Sequence, residues 1–230
     1  MKYVLKKKPK NPTIIQGFPS LGLVSTITLK FLIDHLDVEE IGWIESEHLV
    51  PLTAIHKGGI VNPITMYYNK KYNLVLIQSI TEVSGFEWDL ANTIIAIAKE
   101  LKAKKLIVIE GIPTKEQVIN VLEYSNKGKM DVPSLKEGIV MGVTAAIMLK
   151  AKDEIPLSCL FAEAHSQLPD SESAAKVVQV LDTSLGLKLD YKPLLAAAQK
   201  FEHSLKEYMQ KARMSPAGPQ QQKEKMNYFG

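Results

Sequence analysis

The feature that most constrains this chain is a set of short aliphatic runs that do not alternate with polar residues. The clearest is KLIVIEGIP at residues 105–113, and similar runs occupy residues 74–80 and 155–164. A strand that is apolar on both sides has to be buried on both faces, which is typical of a parallel sheet lying between helices. Segments with helical periodicity separate the runs. This βαβα order predicts a three-layer α/β/α fold with a mostly parallel central sheet.

The first strand is predicted at Thr13–Gln16, and the helices are recognised by their apolar periodicity and by capping residues at their ends. Ser20 and Ser84 are in position to cap the first two helices, and Asp170 or Ser171 to cap a later one. The helices are expected over Leu21–Leu36, after Gly85, within residues 137–152, from Asp170 to just before Gly186, and over Leu194–Lys211. The last of these has one apolar stripe, formed by Leu194, Leu195, Ala198, Phe201 and Leu205.

Composition narrows the classes of protein that this chain can be. Its formal net charge of +3 over 230 residues gives no electrostatic case for nucleic acid binding. We find no secretory signal and no apolar run of membrane-spanning length, so we expect a cytoplasmic protein with no membrane contact. Cys159 is the only cysteine and falls in a buried strand, and the histidines show no paired spacing. We therefore expect no metal site and no cofactor.

A glycine-containing turn, GFPSLG, joins the first strand to the first helix, as in many nucleotide-binding proteins. Gly17 and Gly22 have the spacing of a P-loop, but Leu23 and Val24 stand where the lysine and the hydroxyl residue are needed. A dinucleotide-binding fingerprint fails because Pro19 replaces its second glycine and has no amide to donate. We interpret Gly17, Pro19 and Gly22 as parts of a structural turn.

Three polar residues lie in or just after the last part of predicted strands, at the edge where parallel strands end: Glu110, Glu163 and His165. Active sites of α/β proteins commonly lie at this edge, and two carboxylates with a histidine are suited to general acid–base catalysis. They are candidates for the catalytic residues of an enzyme. The simpler interpretation is that they cap helices or pair with surface lysines.

The composition changes at Met214, where MSPAGPQQQKEKMNYFG loses all apolar periodicity. A segment of this kind cannot bury enough apolar surface to become ordered alone. We therefore divide the chain into a folded domain over residues 1–212 and a flexible tail over residues 213–230. The tail nevertheless ends on two aromatic residues, Tyr228 and Phe229, followed by Gly230.

Three blocks of the sequence resemble the archaeal proteasome-assembly chaperone family. They are IIQGFPSLGLVSTITLKFLIDHL near the N-terminus, the long stretch from GIVMGVTAAIMLKAK to DTSLGLKLD, and YKPLLAAAQKFEHSLKEYMQKA. The resemblance covers about residues 10–212. It implies a nucleoside phosphorylase-like fold without enzymatic activity, assembly into homo-oligomers, and ATP-independent binding of proteasome α-subunits. The alternative with the same fold is a nucleoside phosphorylase- or nucleosidase-like enzyme that uses Glu110, Glu163 and His165.

In that family the contact is made by a mobile C-terminal tail that ends in a hydrophobic residue, a tyrosine and any last residue. The resemblance therefore implies that Tyr228, Phe229 and Gly230 bind the partner, with the last residue supplying a carboxylate. Phe229 departs from the pattern, because it occupies the tyrosine position without a hydroxyl. A homo-oligomeric scaffold that binds a non-proteasomal protein would share all these tail features.

Overall fold

The computed structural model describes residues 1–49, 51–56, 58–116, 118–152, 154–165, 168–194 and 196. In these segments an eight-stranded sheet lies between two layers of helices. None of their helices is long and apolar enough to span a bilayer. The elements in chain order are β1 (Lys2–Leu5), β2 (Thr13–Gly17), a 3₁₀ turn (Leu21–Leu23), α1 (Val24–His35), β3 (Glu39–Glu45), β4 (Ala54–His56), β5 (Gly59–Val61), β6 (Ile64–Asn69), β7 (Leu74–Ser79), α2 (Glu87–Glu100), β8 (Lys105–Pro113), β9 (Val121–Ser125), α3 (Gly142–Ala151), β10 (Leu157–Ala164) and α4 (Ser171–Leu185).

The sheet is mixed, with the strand order β1-β3-β6-β7-β2-β8-β10-β9. Only the four central strands, β7, β2, β8 and β10, pair in parallel, and the pairings outside them are antiparallel. The α/β class is therefore confirmed, whereas the expectation of a mostly parallel sheet is wrong. One reason is that a tight turn rather than a crossover helix joins β6 to β7. The other reason is that the edge strands β1 and β9 lack the uninterrupted aliphatic run by which strands were recognised, so the expectation did not include them.

Helices cover both faces of the sheet, which explains why the central strands are apolar throughout. Consecutive residues of β2 separate the two cores, since Ile14 packs in one and Ile15 in the other. On the first face α2 and α3 bury residues such as Ile94 and Ile147, and on the second α1 and α4 bury Leu32. At about 25 cal/mol per Å² of apolar surface removed from water, such burial is the main stabilising contribution.

The expected caps are confirmed at one helix and wrong at two others. The Asp170 side chain accepts a hydrogen bond from the Ser173 amide at 2.9 Å and so caps α4, which ends at Gly186 with φ of 65°. The first helix, by contrast, is divided into the 3₁₀ turn and α1, and Ser20 makes no capping hydrogen bond. Ser84 does not cap α2 either, because that helix begins at Glu87.

Ser20 instead belongs to a close contact between the GFPSLG turn and the end of β8. Its hydroxyl oxygen accepts a hydrogen bond from the Gly111 amide at 3.1 Å. A Cβ atom added at Gly111 would lie 2.1 Å from the Leu21 carbonyl oxygen. Because both groups are backbone, neither can move aside, and only glycine fits at residue 111.

The same turn also contacts α1 and the start of α4. A Cβ at Gly17 would lie 2.8 Å from the Cβ of Ser25, whose hydroxyl donates to the carbonyl of Phe18. Gly22 has a φ of 65°, a conformation that favours glycine, and its carbonyl accepts from the Asp170 amide at 2.8 Å. The turn thus joins the end of β2 to both helices of the second face.

We predict that Gly111→Ala destabilises the protein by roughly 1–3 kcal/mol or more, since the new methyl group would overlap backbone. Gly138→Ala is the matched control, because a Cβ there meets only the Leu135 side chain at 3.8 Å. Urea unfolding of both variants measures the difference. Equal unfolding free energies for the two would contradict the account.

Candidate functional site

The ends of the central strands bring together the residues that sequence analysis singled out. We call this end of the sheet the carboxyl edge and the opposite end, where the parallel strands begin, the amino edge. The GFPSLG turn follows β2, Glu110 lies near the end of β8, and Glu163 with His165 lies at the end of β10. All three polar residues are therefore at the carboxyl edge, as expected, and their contacts determine what chemistry is available.

Glu110 is largely buried on the face that α3 covers. The Thr144 hydroxyl donates a hydrogen bond to its Oε2 atom at 2.6 Å. Burial raises the pKa of Glu110 to about 6, because a buried carboxylate loses hydration, while hydrogen bonding from Thr144 and Ser20 acts in the opposite direction. Glu110 thus titrates close to neutrality.

Glu163 faces a different neighbour. Its Oε2 atom accepts two hydrogen bonds from Asn120, one from the backbone amide and one from the side-chain amide, both at 2.8 Å. The Glu163 amide in turn donates to the Asn120 carbonyl at 3.0 Å. Asn120 immediately precedes β9, which pairs with β10 on the side opposite β8. The Glu163 carboxylate therefore anchors the entry to β9.

His165 lies near the start of α4 and is about half exposed. Its Nε2 atom is 3.0 Å from the carbonyl oxygen of Glu116, and its Nδ1 atom is 3.6 Å from Oδ2 of Asp170. Because Asp170 is also the cap of α4, the imidazole is part of the hydrogen bonding that fixes the loop before that helix. This arrangement is typical of a structural histidine.

The three residues share an edge but do not form one catalytic group. In the described segments, no hydrogen bond or ion pair joins Glu110, Glu163 or His165 to another of the three. A general acid–base pair needs its members within hydrogen-bond reach of one reacting group, about 2.6–3.2 Å between the catalytic heavy atom and the atom that gains or loses the proton. The geometry instead gives each side chain a separate local partner.

Two further buried groups bear on the chemistry of the sheet. Cys159 is fully buried, as expected, and burial with the nearby carboxylates Glu110 and Glu123 raises the pKa of its thiol to about 12, so the reactive thiolate is disfavoured. Glu123 was not anticipated because β9 was not. It is buried and accepts hydrogen bonds from the Ser158 hydroxyl at 2.5 Å and the Met130 amide at 2.8 Å.

We compared this edge with the cavities and the metal-ligating side chains of the described residues. Three surface cavities of about 430, 490 and 540 Å³ are lined by other residues than Glu110, Glu163 and His165. Within the described part of the chain, no group of three or more His, Cys, Asp or Glu side chains is arranged to hold a metal ion. The expected contact residues Tyr228, Phe229 and Gly230 lie outside the described residues.

The raised pKa of Glu110 makes a pH-dependent prediction. The ordinary pKa of a glutamate carboxyl group is 4.5, and in the folded protein that of Glu110 is about 6. The folded state therefore holds this proton more tightly than the unfolded state does. The contribution of this group to the free energy of unfolding is therefore fully present below pH 4.5 and is lost as the pH rises through 6. At 1.36 kcal/mol per pKa unit, the loss is about 2 kcal/mol.

Glu110→Gln should remove that loss while keeping an acceptor for Thr144. Urea unfolding between pH 4.5 and 7.5 is expected to show the variant gaining about 2 kcal/mol relative to the wild type as the pH rises. Glu137→Gln, an exposed carboxylate exchanged in the same way, is the control. If the unfolding free energies of the wild type and Glu110→Gln depend on pH identically, burial does not raise the pKa of Glu110.

Comparison with known proteins places this fold and edge in context. An uncharacterised protein of Methanocaldococcus jannaschii is 29% identical over 217 residues, which is 90% of each chain. The crystal structure of Pyrococcus furiosus PbaA, an archaeal homologue of proteasome-assembly chaperone, has a TM-score of 0.81 at 27% identity and covers 92% of this chain and 94% of its own. PbaB of the same organism, an archaeal proteasome activator, shares the fold with a TM-score of 0.78 at 19% identity, covering 90% of this chain and 98% of its own.

A family model provides the assignment. The model of the PAC2 family matches residues 14–209, which include β2 from its second residue and every later element through α4. Together with the likeness to PbaA, this match confirms the resemblance to proteasome-assembly chaperones that the three sequence blocks indicated. The chain belongs to the PAC2 family.

Proposed function

We propose that this protein is an ATP-independent chaperone that binds α-subunits of the proteasome core particle through its C-terminal tail. The observation that carries the proposal is an aromatic C-terminus, Tyr228-Phe229-Gly230, on a PAC2 domain similar to that of PbaA. The two rings supply apolar area for burial, and Gly230 supplies the terminal carboxylate. A cationic group on the α-subunit would pair with that carboxylate.

Self-association is part of the same proposal. A flexible arm loses conformational entropy when it binds, so a single arm gives modest affinity. A homo-oligomer that presents several identical arms raises the effective concentration of each further arm once the first is bound. Exposed apolar side chains on and beside α2 and α3 offer surface for such assembly, namely Trp88, Ile139, Met141 and Leu149.

We propose no catalytic activity for the carboxyl edge. An enzyme with the nucleoside phosphorylase-like fold that we infer for the family would need Glu110, Glu163 and His165 to act on one substrate. Each is instead bonded to its own partner, Thr144, Asn120 or the Glu116 carbonyl. A panel of nucleosides assayed with and without phosphate is expected to show no turnover, and turnover lost in Glu163→Gln would restore the enzyme hypothesis.

Deletion of residues 226–230 is expected to abolish binding to proteasome α-subunits and leave the fold intact, because it removes both aromatic rings and moves the carboxylate. Surface plasmon resonance with purified α-subunits measures the binding, and circular dichroism checks the fold. The control is Gln220→Ala/Gln221→Ala/Gln222→Ala, which alters the tail but keeps its end. Undiminished binding of the deletion variant would refute the tail contact, and capture of another protein in its place would favour a non-proteasomal scaffold.

Phe229→Tyr tests the departure from the family pattern. If the pocket on the α-subunit keeps a polar partner for a tyrosine hydroxyl, this partner is unpaired against Phe229, at a cost of about 1–3 kcal/mol. The variant should then bind roughly 5- to 150-fold more tightly. Phe229→Ala should bind more weakly than the wild type. Equal affinities for all three proteins would show that residue 229 does not enter a pocket.

A further inference from the structure

The second face of the sheet is covered unevenly. Here α1 packs over β2, β7 and β8, while α4 packs over β9 and β10. The outer strands β6 and β3 present Tyr67 and Trp43 on this face, by the alternation of the strands and their register. Both side chains are only half buried, and no described helix lies over them. The part of this face over β6 and β3 is therefore left open, and it is about as wide as one helix.

A cavity of about 540 Å³ marks the open area, and we call it the α1 groove. One wall is α1, through Ile33 and Leu36, and the floor includes Tyr67. The other wall is the β4–β5 hairpin, through Ile55 and Val61. The groove runs along α1, with the end of that helix at the amino edge and the hairpin at the carboxyl edge, where β6 begins.

The hairpin presents apolar side chains to solvent. It is a separate two-stranded sheet, and Ile55 and Ile60, which are directly opposed, are 81% and 75% exposed. A two-stranded hairpin alone is marginally stable in water and needs an apolar surface to pack against. An apolar segment in the groove would supply that surface.

The chain itself leads to the end of the groove that lies at the amino edge. After α4 it crosses the amino edge, where the Tyr72 hydroxyl donates to the carbonyl of Leu187 at 2.5 Å. Leu187 and Leu194 are then buried in the same apolar cluster as Leu36, which lines the groove. Residues 192–194 are already helical. The next residues thus follow a segment that packs on the second face and crosses the amino edge, where α1 also ends.

The sequence that follows has the right length and pattern to fill it. A helix over Leu194–Lys211 would be about 27 Å long at 1.5 Å per residue. The six-residue strands β6 and β7 extend about 20 Å, so such a helix can run from the amino edge past the hairpin. Its apolar stripe would face inward, through Leu194, Leu195, Ala198, Phe201 and Leu205.

Charge favours the same occupant. The rim of the groove carries Asp34, Asp37 and Glu40, of which Asp34 pairs with Lys30 and Glu40 with Lys6. The segment from 195 to 211 has one more cation than carboxylates, with Lys200, Lys206 and Lys211 against Glu202 and Glu207. Opposite charges at the rim would add a modest attraction that salt weakens.

From these observations we propose that residues 195–211 form a helix seated in the α1 groove, antiparallel to α1 and in contact with Ile33, Tyr67 and Val61. The occupant is the chain's own segment, and the proposal stands independently of proteasome binding. Its consequence is that the tail leaves the folded domain at the carboxyl edge, next to the hairpin, rather than at the amino edge where α4 ends.

Engineered disulfides test this docking, and Cys159 is too deeply buried to interfere. In the proposed arrangement, with Leu194 level with Leu36, Ile33 and Ala198 would lie at similar heights along antiparallel helices. Ile33→Cys/Ala198→Cys is therefore expected to form an intramolecular bond under mild oxidation. The matched control is Leu149→Cys/Ala198→Cys, because Leu149 is 65% exposed on α3, across the sheet.

The position of the band on a non-reducing gel decides between occupants. A cross-linked monomer for the 33–198 pair alone is the expected result. A cross-linked dimer would mean that the helix of a second copy fills the groove, and no bond in either pair would mean that the helix does not dock there. Both of these results overturn the proposal. Circular dichroism confirms that each variant folds, and α-subunit binding is measured separately.

Discussion

The fold depends on a backbone contact between the GFPSLG turn and the end of β8. The carbonyl oxygen of Leu21 occupies the space that a side chain on Gly111 would fill, and Ser20 accepts a hydrogen bond from the Gly111 amide. The contact places the start of α1 directly over the centre of the sheet. Through the bond between Gly22 and Asp170, the same turn also fixes the start of α4. The helices of the second face are thus positioned from one point.

This packing has a consequence for function. In α/β proteins the edge where parallel strands end is the usual place for a ligand. Here the GFPSLG turn fills part of that edge, and Glu110, Glu163 and His165 are occupied by separate structural partners. Among the described residues, no hydrogen bond or ion pair joins any two of the three. In the function that we propose, the tail makes the contact with the partner and the folded domain holds and presents the tail.

The sequence predicted those parts of the structure that depend on local pattern. The aliphatic runs of β7, β8 and β10 were recognisable because both sides of each strand are buried, and Asp170 and Gly186 were recognisable as helix ends. Strands β1 and β9 were missed because edge strands are partly exposed and carry polar residues such as Glu123. The hydrogen-bond partner of Ser20 could not be predicted either. Gly111 is 91 residues away from Ser20 in the sequence, and only the tertiary fold brings the two together.

The most direct test of the central claim is competition by the tail alone. A synthetic peptide of residues 221–230 is titrated into a preformed complex of this protein with proteasome α-subunits, and the bound fraction is followed by fluorescence anisotropy. The account predicts that the free-acid peptide displaces the protein and that the same peptide with an amidated C-terminus does so far less well. A complex that persists at saturating peptide would show that the folded domain, and not the tail, makes the contact.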